Sequence, residues 1–433
     1  MRKIKNILIK LAQSALILLL LLVLHLALLY YTNAYWRGMA AVMAAIGLAG
    51  LLFYLLHRRG WTSTKYNRII LSVPFLLFCA FIAYTLIPVA SSGNRKRAPD
   101  FALVTTKYWN LNTGSRIAYY KLPAKKGIQK KETPIIFLHG GPGAYVRKLE
   151  IDFFNQFTND GYDVYLYDQA GSGRSDLLSK ATYSHERNID DFEAIINTIS
   201  AKQYIVIGQS YGGALLAHIT ARKDLYKRIA KAIYAEPGVS VTNNISEGEK
   251  VFAKSPHATA GDINLPVRLL ISMMITPKGE FTSQNEIINY LLDHKQLIQG
   301  LFSESYPGKD VARIPAVDIS VINFAANAAI KTDDTKPSGE LADNYRRFKV
   351  PSMLIIGESS YVERNAPMDL LRINPNITRV QYVKGVGHIL WNGLGSNNER
   401  IKRVIDQFLY DKNPDIPNYP VHGMADEFLK QRL

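Results

Sequence analysis

Short runs of β-branched and aromatic residues recur through residues 98–433, separated by helix-like stretches, and this alternation limits the fold more than any other feature. The runs are 134–138 (PIIFL), 162–167 (YDVYLY), 204–207 (YIVI), 231–235 (KAIYA), 351–356 (PSMLII) and 378–383 (TRVQYV). Most lack polar alternation, as strands buried on both faces of a parallel sheet require. Residues 101–109 and 116–122 flank Asn112-Thr113-Gly114-Ser115 and predict a hairpin ahead of them. Helical patterns fall between the strands at 190–200, 214–222 and 398–410, which predicts a doubly wound, mostly parallel α/β sheet. From about 241 to 347 the strands stop and only amphipathic segments such as 265–275 and 285–298 remain, the size of an inserted helical lid. The expected core is therefore 98–240 with 348–433, and the expected cap 241–347.

The first 97 residues have a different composition. Residues 11–36, 38–57 and 69–90 are apolar runs, each long enough for the roughly 30 Å hydrocarbon layer that about 20 helical residues cross. Tyr30, Tyr31, Tyr35, Trp36, Trp61 and Tyr66 lie at their ends, where aromatic rings settle at head-group level. The expectation is a three-helix membrane anchor in 1–97. Arg2, Lys3, Lys5 and Lys10 precede the first run, and Arg58, Arg59, Lys65 and Arg68 fill the second loop. Only Arg37, Arg95, Lys96 and Arg97 fall on the other side, so the N-terminus is expected in the cytoplasm and residues 98–433 on the outer face of the plasma or inner membrane. Charge follows the same division: 12 of the 52 Lys and Arg lie in 1–97 with no acid, leaving 40 against 36 acidic residues beyond it. With no basic stripe in the body of the chain, nucleic acid is not an expected partner. A hydrophobic content of 48% excludes a disordered chain, and the single cysteine, Cys79, excludes a disulfide scaffold.

Chemistry gathers at strand ends. The run 204–207 leads into Gly208-Gln209-Ser210-Tyr211-Gly212-Gly213 and then a helix, the G-x-S-x-G pattern in a strand–turn–helix setting. A serine on such a turn projects above the sheet as a nucleophile, Gly208 and Gly212 remove side chains that would collide, and the helix N-terminus favours developing negative charge. The run 378–383 enters Lys384-Gly385-Val386-Gly387-His388, which places a candidate general base in a glycine-rich loop past a strand end. After 134–138 comes His139-Gly140-Gly141-Pro142-Gly143; there His139, Gly140 and Gly143 shape the loop while the amide of Gly141, or of Gly140, pairs with that of Tyr211 as an oxyanion donor. Neither a metal nor a nucleotide site is indicated, since Gly171-Ser172-Gly173 lacks the third glycine of G-x-G-x-x-G, and no cofactor is expected.

Together, His139-Gly140-Gly141-Pro142-Gly143 and the run Asp168-Gln169-Ala170-Gly171-Ser172-Gly173-Arg174-Ser175 resemble the proline iminopeptidase branch of the α/β-hydrolases over about residues 100–411. The resemblance implies a serine peptidase that releases N-terminal residues, often proline, from short peptides. Two positions depart from it. Ala170 stands where the family usually has arginine, and Gly357-Glu358-Ser359-Ser360 puts serine where the family carries the aspartate that orients the histidine. A neutral hydroxyl cannot stabilise an imidazolium as a carboxylate does. Glu236, in Ala235-Glu236-Pro237-Gly238 at another strand end, is the first substitute, with Glu358, Glu363 and no acid at all as alternatives. Glu247, Glu249, Glu280, Glu286 and Glu304 in the cap are candidate ligands for a substrate amine. An esterase or lipase acting on membrane-proximal acyl groups, and a non-catalytic binding module on the same frame, are the competing expectations. The expected partners are a small peptide or acyl substrate and the lipid bilayer.

Overall fold

The computed structural model describes residues 97–179, 182–237, 318, 321–323, 326–327, 330, 338–360, 365–391 and 397–415, with isolated residues 19, 47, 54, 58 and 77. Apart from those five, they fall in one compact unit. Its elements run β1 (Lys107–Asn110), β2 (Arg116–Leu122), β3 (Ile135–Leu138), α1 (Lys148–Asn155), β4 (Val164–Tyr167), α2 (His185–Ile199), β5 (Tyr204–Gln209), α3 (Tyr211–Thr220), β6 (Ile229–Ala235), α4 (Ser338–Arg347), β7 (Ser352–Ser359), α5 (Asn365–Ile373), β8 (Ile377–Gly387) and α6 (Asn397–Leu409). The three expected spans 11–36, 38–57 and 69–90 lie outside the described residues, among which no helix is long and apolar enough to cross a membrane.

The strands form one sheet in the order β1-β2-β4-β3-β5-β6-β7-β8. β1 and β2 are the expected hairpin, β2 joins β4 antiparallel, and every pairing from β4 to β8 is parallel. From β3 the chain goes to β4 on one side and to β5 on the other, so the strand order reverses at β3. In open α/β sheets, ligands bind outside the carboxyl ends of the strands at such a reversal.

The missing polar alternation has its explanation in two apolar layers. Ile136, Leu138 and Val206 pack on one face with residues of α2 to α5, while Ile135, Phe137, Ile205 and Ile207 pack on the other with α1 and α6. Phe137, Phe153, Phe154 and Trp391 form the aromatic centre of the second layer, with ring centroids 4.6 to 5.4 Å apart. Phe154→Ala is expected to cost about 3–5 kcal/mol through lost transfer energy and the cavity left behind, read as a fall in the denaturant midpoint at unchanged slope.

Helix α2 begins five residues before the apolar pattern suggested, because the Ser184 hydroxyl accepts from the Arg187 amide and caps it there. Helix α4, which the sequence reading placed within the 241–347 insertion, packs on the sheet: Leu341 and Tyr345 are fully buried, and the Tyr345 hydroxyl donates to the Ala217 carbonyl at 2.6 Å. Strand β8 also corrects an expectation. The Lys384–Gly387 segment continues the strand rather than forming a loop, since Gly357 of β7 lies against the Val386 backbone and Gly387 still pairs with Ser359 across a bulge. His388 therefore follows the strand directly. Of the expected cap, segments 265–275 and 285–298, and all five cap glutamates, lie outside the described residues.

Candidate active site

Ser210 sits between β5 and α3 with φ 56° and ψ −121°, a conformation that non-glycine residues rarely adopt. The turn is that tight because of its glycines: a Cβ on Gly208 would lie 2.2 Å from the Gly212 carbonyl oxygen. Backbone bonds hold the strain in place. The Ser210 amide donates to Ala235 O at 3.0 Å, and its carbonyl accepts from Gly213 and Ala214 at 2.9 and 3.2 Å. Tyr211, the other expected oxyanion residue, is the first residue of α3, and its ring hydroxyl meets Asn188 Nδ2 at 3.0 Å and His185 Nδ1 at 3.1 Å. His185 is thus a buried structural group beside the site.

The loop after β3 lies against Ser210. A Cβ on Gly140 would stand 2.9 Å from Ser210 Cβ, which leaves no room for a side chain there. Gly140, Gly141, Ser210 and His388 line one cavity of about 150 Å³, together with Tyr145, Arg147, Glu150 and others. His139 begins this loop and is bonded within it. Its Nδ1 donates to Gly140 O at 2.6 Å, and its Nε2 accepts from the Gln169 amide at 3.0 Å, which fixes the tautomer. Burial lowers its pKa from 6.5 to about 4. The neutral ring is the folded form, so unfolding takes up a proton below the free value of about 6.5. Stability from this residue is full above pH 6.5 and is lost as pH falls toward 4. Denaturation of wild type and His139→Gln across pH 7 to 5 should give a stability difference that shrinks with acid; a constant difference would contradict this.

Asp168 ties the second motif loop to β2 and to the segment that follows the first. It is fully buried and accepts from the Val146 amide and the Tyr120 hydroxyl, each at 2.8 Å, and from the Arg174 amide at 2.9 Å. Ala170, where the resemblance led one to expect arginine, is buried in the apolar layer.

One of the candidate carboxylates, Glu236, lies beside the imidazole. Glu236 follows β6 with φ 50° and is 1% exposed. Its Oε1 accepts from the Gly357 amide of β7, and its Oε2 lies 3.4 Å from His388 Nδ1. Its own amide donates to Ile355 O at 2.9 Å, so both backbone and side chain are tied to the neighbouring strand. Ser360 Oγ, from the end of β7, is also 3.4 Å from His388 Nδ1. The imidazole, 2% exposed, thus meets two oxygens from two strand ends, one of them a carboxylate. The Glu358 side chain and the whole of Glu363 lie outside the described residues. Gln209 Nε2 donates to the His388 carbonyl at 3.2 Å and ties His388 to the β5–α3 turn.

The pocket wall contains an ion pair that no sequence motif marks. Arg147 caps α1, and Glu150 accepts from its amide at 2.8 Å and from its Nε at 3.2 Å, with a second guanidinium contact and Trp391 Nε1 at 3.3 Å on Oε1. No group of three or more His, Cys, Asp or Glu able to hold a metal ion occurs among the described residues.

The profile of the alpha/beta hydrolase fold matches residues 133–263. A proline iminopeptidase of Saccharolobus solfataricus is 29% identical over 305 residues, which cover 67% of this chain and 89% of that protein. One of Thermoplasma volcanium is 22% identical over 305 residues, covering 68% and 93%. Among solved structures, a proline iminopeptidase of Mycobacterium smegmatis aligns with a TM-score of 0.47 at 19% identity, covering 71% of this chain and 98% of that one. The described core has the α/β-hydrolase fold, with a mostly parallel sheet.

Proposed function

We propose that this α/β-hydrolase is a serine hydrolase working through an acyl-enzyme, and that it is an aminopeptidase releasing N-terminal residues from short peptides. The observation that carries the reading is that Ser210, His388 and the Gly140–Gly141 loop border one cavity while Glu236 backs the imidazole. Ser210 Oγ attacks the scissile carbonyl and gives its proton to His388. Because Nδ1 faces Glu236, proton exchange with Ser210 falls to Nε2, and the Glu236 charge stabilises the imidazolium. Amides of Gly141 (or Gly140) and Tyr211, the latter at the start of α3, receive the oxyanion. The imidazolium then protonates the leaving amine, water attacks the acyl-enzyme with His388 as base, and Ser210 is regenerated.

The peptidase assignment draws on the two motif loops and on the relatives named proline iminopeptidase. One observation favours an esterase instead. Glu150, the carboxylate among the described cavity residues, is already engaged by Arg147 and Trp391, and an ester substrate needs no carboxylate to hold an amine. Steady-state assays with prolyl-arylamide and with short acyl nitrophenyl esters separate the two. A kcat/KM at least tenfold higher for the arylamide supports the peptidase; turnover of esters alone removes it. The proposal includes the tether: the apolar runs of 1–97 hold the hydrolase on the outer face of the membrane, and the full chain should stay in the membrane pellet through alkaline carbonate washing. Release into the wash would contradict this.

A further inference from the structure

The oxyanion loop is held at both ends. Upstream, Gly140 is wedged against Ser210 and Gln209. Downstream, the carbonyls of Pro142 and Gly143 are both captured by a segment that arrives from much further along the chain. The Asn323 amide donates to Gly143 O at 2.8 Å, and Asn327 Nδ2 donates to Pro142 O at 2.8 Å. The approach is close: a Cβ on Gly143 would stand 2.2 Å from the Asn323 carbonyl oxygen.

Asn323 itself is anchored by its side chain. Nδ2 donates to Gly171 O at 3.0 Å and to the Tyr183 hydroxyl at 3.1 Å, Oδ1 accepts from the Ala326 amide at 3.1 Å, and the residue is 1% exposed. The Asn327 amide donates back to Asn323 O at 3.0 Å, which sets the spacing between the two asparagines. One buried residue thereby joins the loop after β3, through its amide, to the loop after β4, through its side chain.

We propose that Asn323 and Asn327 are positioning residues for the oxyanion site, acting through the peptide planes of Pro142 and Gly143 to fix the direction of the Gly141 amide. This rests on the acyl-enzyme reading above. An amide that must point at the developing oxyanion gains its effect from being in place before the reaction, and a displacement of about 1 Å at such a group costs about 10²-fold in rate. The loop itself is rich in glycine and holds no such direction unaided. Two asparagines from within the insertion thus supply part of the catalytic geometry without touching substrate.

The test compares wild type, Asn327→Ala and Asn323→Asp, which keeps Oδ1 and removes the Nδ2 donor. Readouts are kcat and KM on whichever of the arylamide or ester the wild type turns over, the affinity of phenylboronic acid, and the denaturation midpoint. Phenylboronic acid adds to the serine and places a boronate oxygen in the oxyanion site. Asn327→Ala is expected to lower kcat by tenfold or more and boronate affinity by a similar factor, with KM within about twofold. Asn323→Asp should act in the same direction. Unchanged kcat and boronate affinity in folded Asn327→Ala, or losses that track only the folded fraction, would overturn the proposal. If wild type neither turns over substrate nor binds the boronate, the acyl-enzyme reading fails and takes this inference with it; an active wild type with indifferent variants sinks this inference alone.

Discussion

Ser210→Ala is expected to lower kcat by about 10⁶-fold while leaving the fold and the denaturation midpoint close to wild type. Removing the nucleophile forbids the acyl-enzyme, and what survives is the slow attack of water on a carbonyl still polarised by the oxyanion amides. The fold should tolerate the change, because the bonds that hold the turn are made by the Ser210 backbone and not by its hydroxyl. Alanine must keep the positive φ, which costs on the order of 1 kcal/mol for a residue with a Cβ, and serine already bears that strain. A variant that retained more than about 1% of wild-type kcat would remove Ser210 from the mechanism.

Glu236→Gln is expected to lower kcat by about 10⁴-fold, the scale on which a triad acid acts. Glutamine keeps the size and can still accept from the Gly357 amide, but it withdraws the charge that stabilises the imidazolium and permits the wrong tautomer. The second oxygen beside His388 makes this prediction sharper. Ser360 Oγ stands at the same 3.4 Å from Nδ1 as Glu236 Oε2, so a carboxylate at position 360 can take up the lost charge from the neighbouring strand end. In the Glu236→Gln background, Ser360→Asp should recover activity by about tenfold or more. Undiminished kcat in Glu236→Gln would move the acid elsewhere, and loss with no recovery in the double variant would confine the role to position 236.

Much of this site was legible in the residues themselves. Gly208 and Gly212 around Ser210 announce a turn that only small residues permit, and apolar runs without alternation announce strands covered on both faces. His388 was readable because it ends such a run. The partner of His388 was harder, for Glu236 lies 152 residues away. Their meeting depends on β6 pairing with β7 and β7 with β8, an order that hydrophobic pattern does not encode. Helix α1 went unpredicted because it is only eight residues long and is capped by Arg147 and Glu150 rather than by a serine or threonine. Asn323 carries no signal at all in a single sequence: a polar residue in a long insertion reads as solvated until two loops close around it.

Incubation of the full chain with a fluorophosphonate, followed by intact mass and peptide mapping, tests the central claim most directly. One adduct per chain is predicted, on the peptide containing Ser210, with its rate reduced strongly in Glu236→Gln and its signal absent in Ser210→Ala. Absence of any adduct from the active, folded wild type, or an adduct mapped to another residue, would contradict a serine nucleophile at the β5–α3 turn.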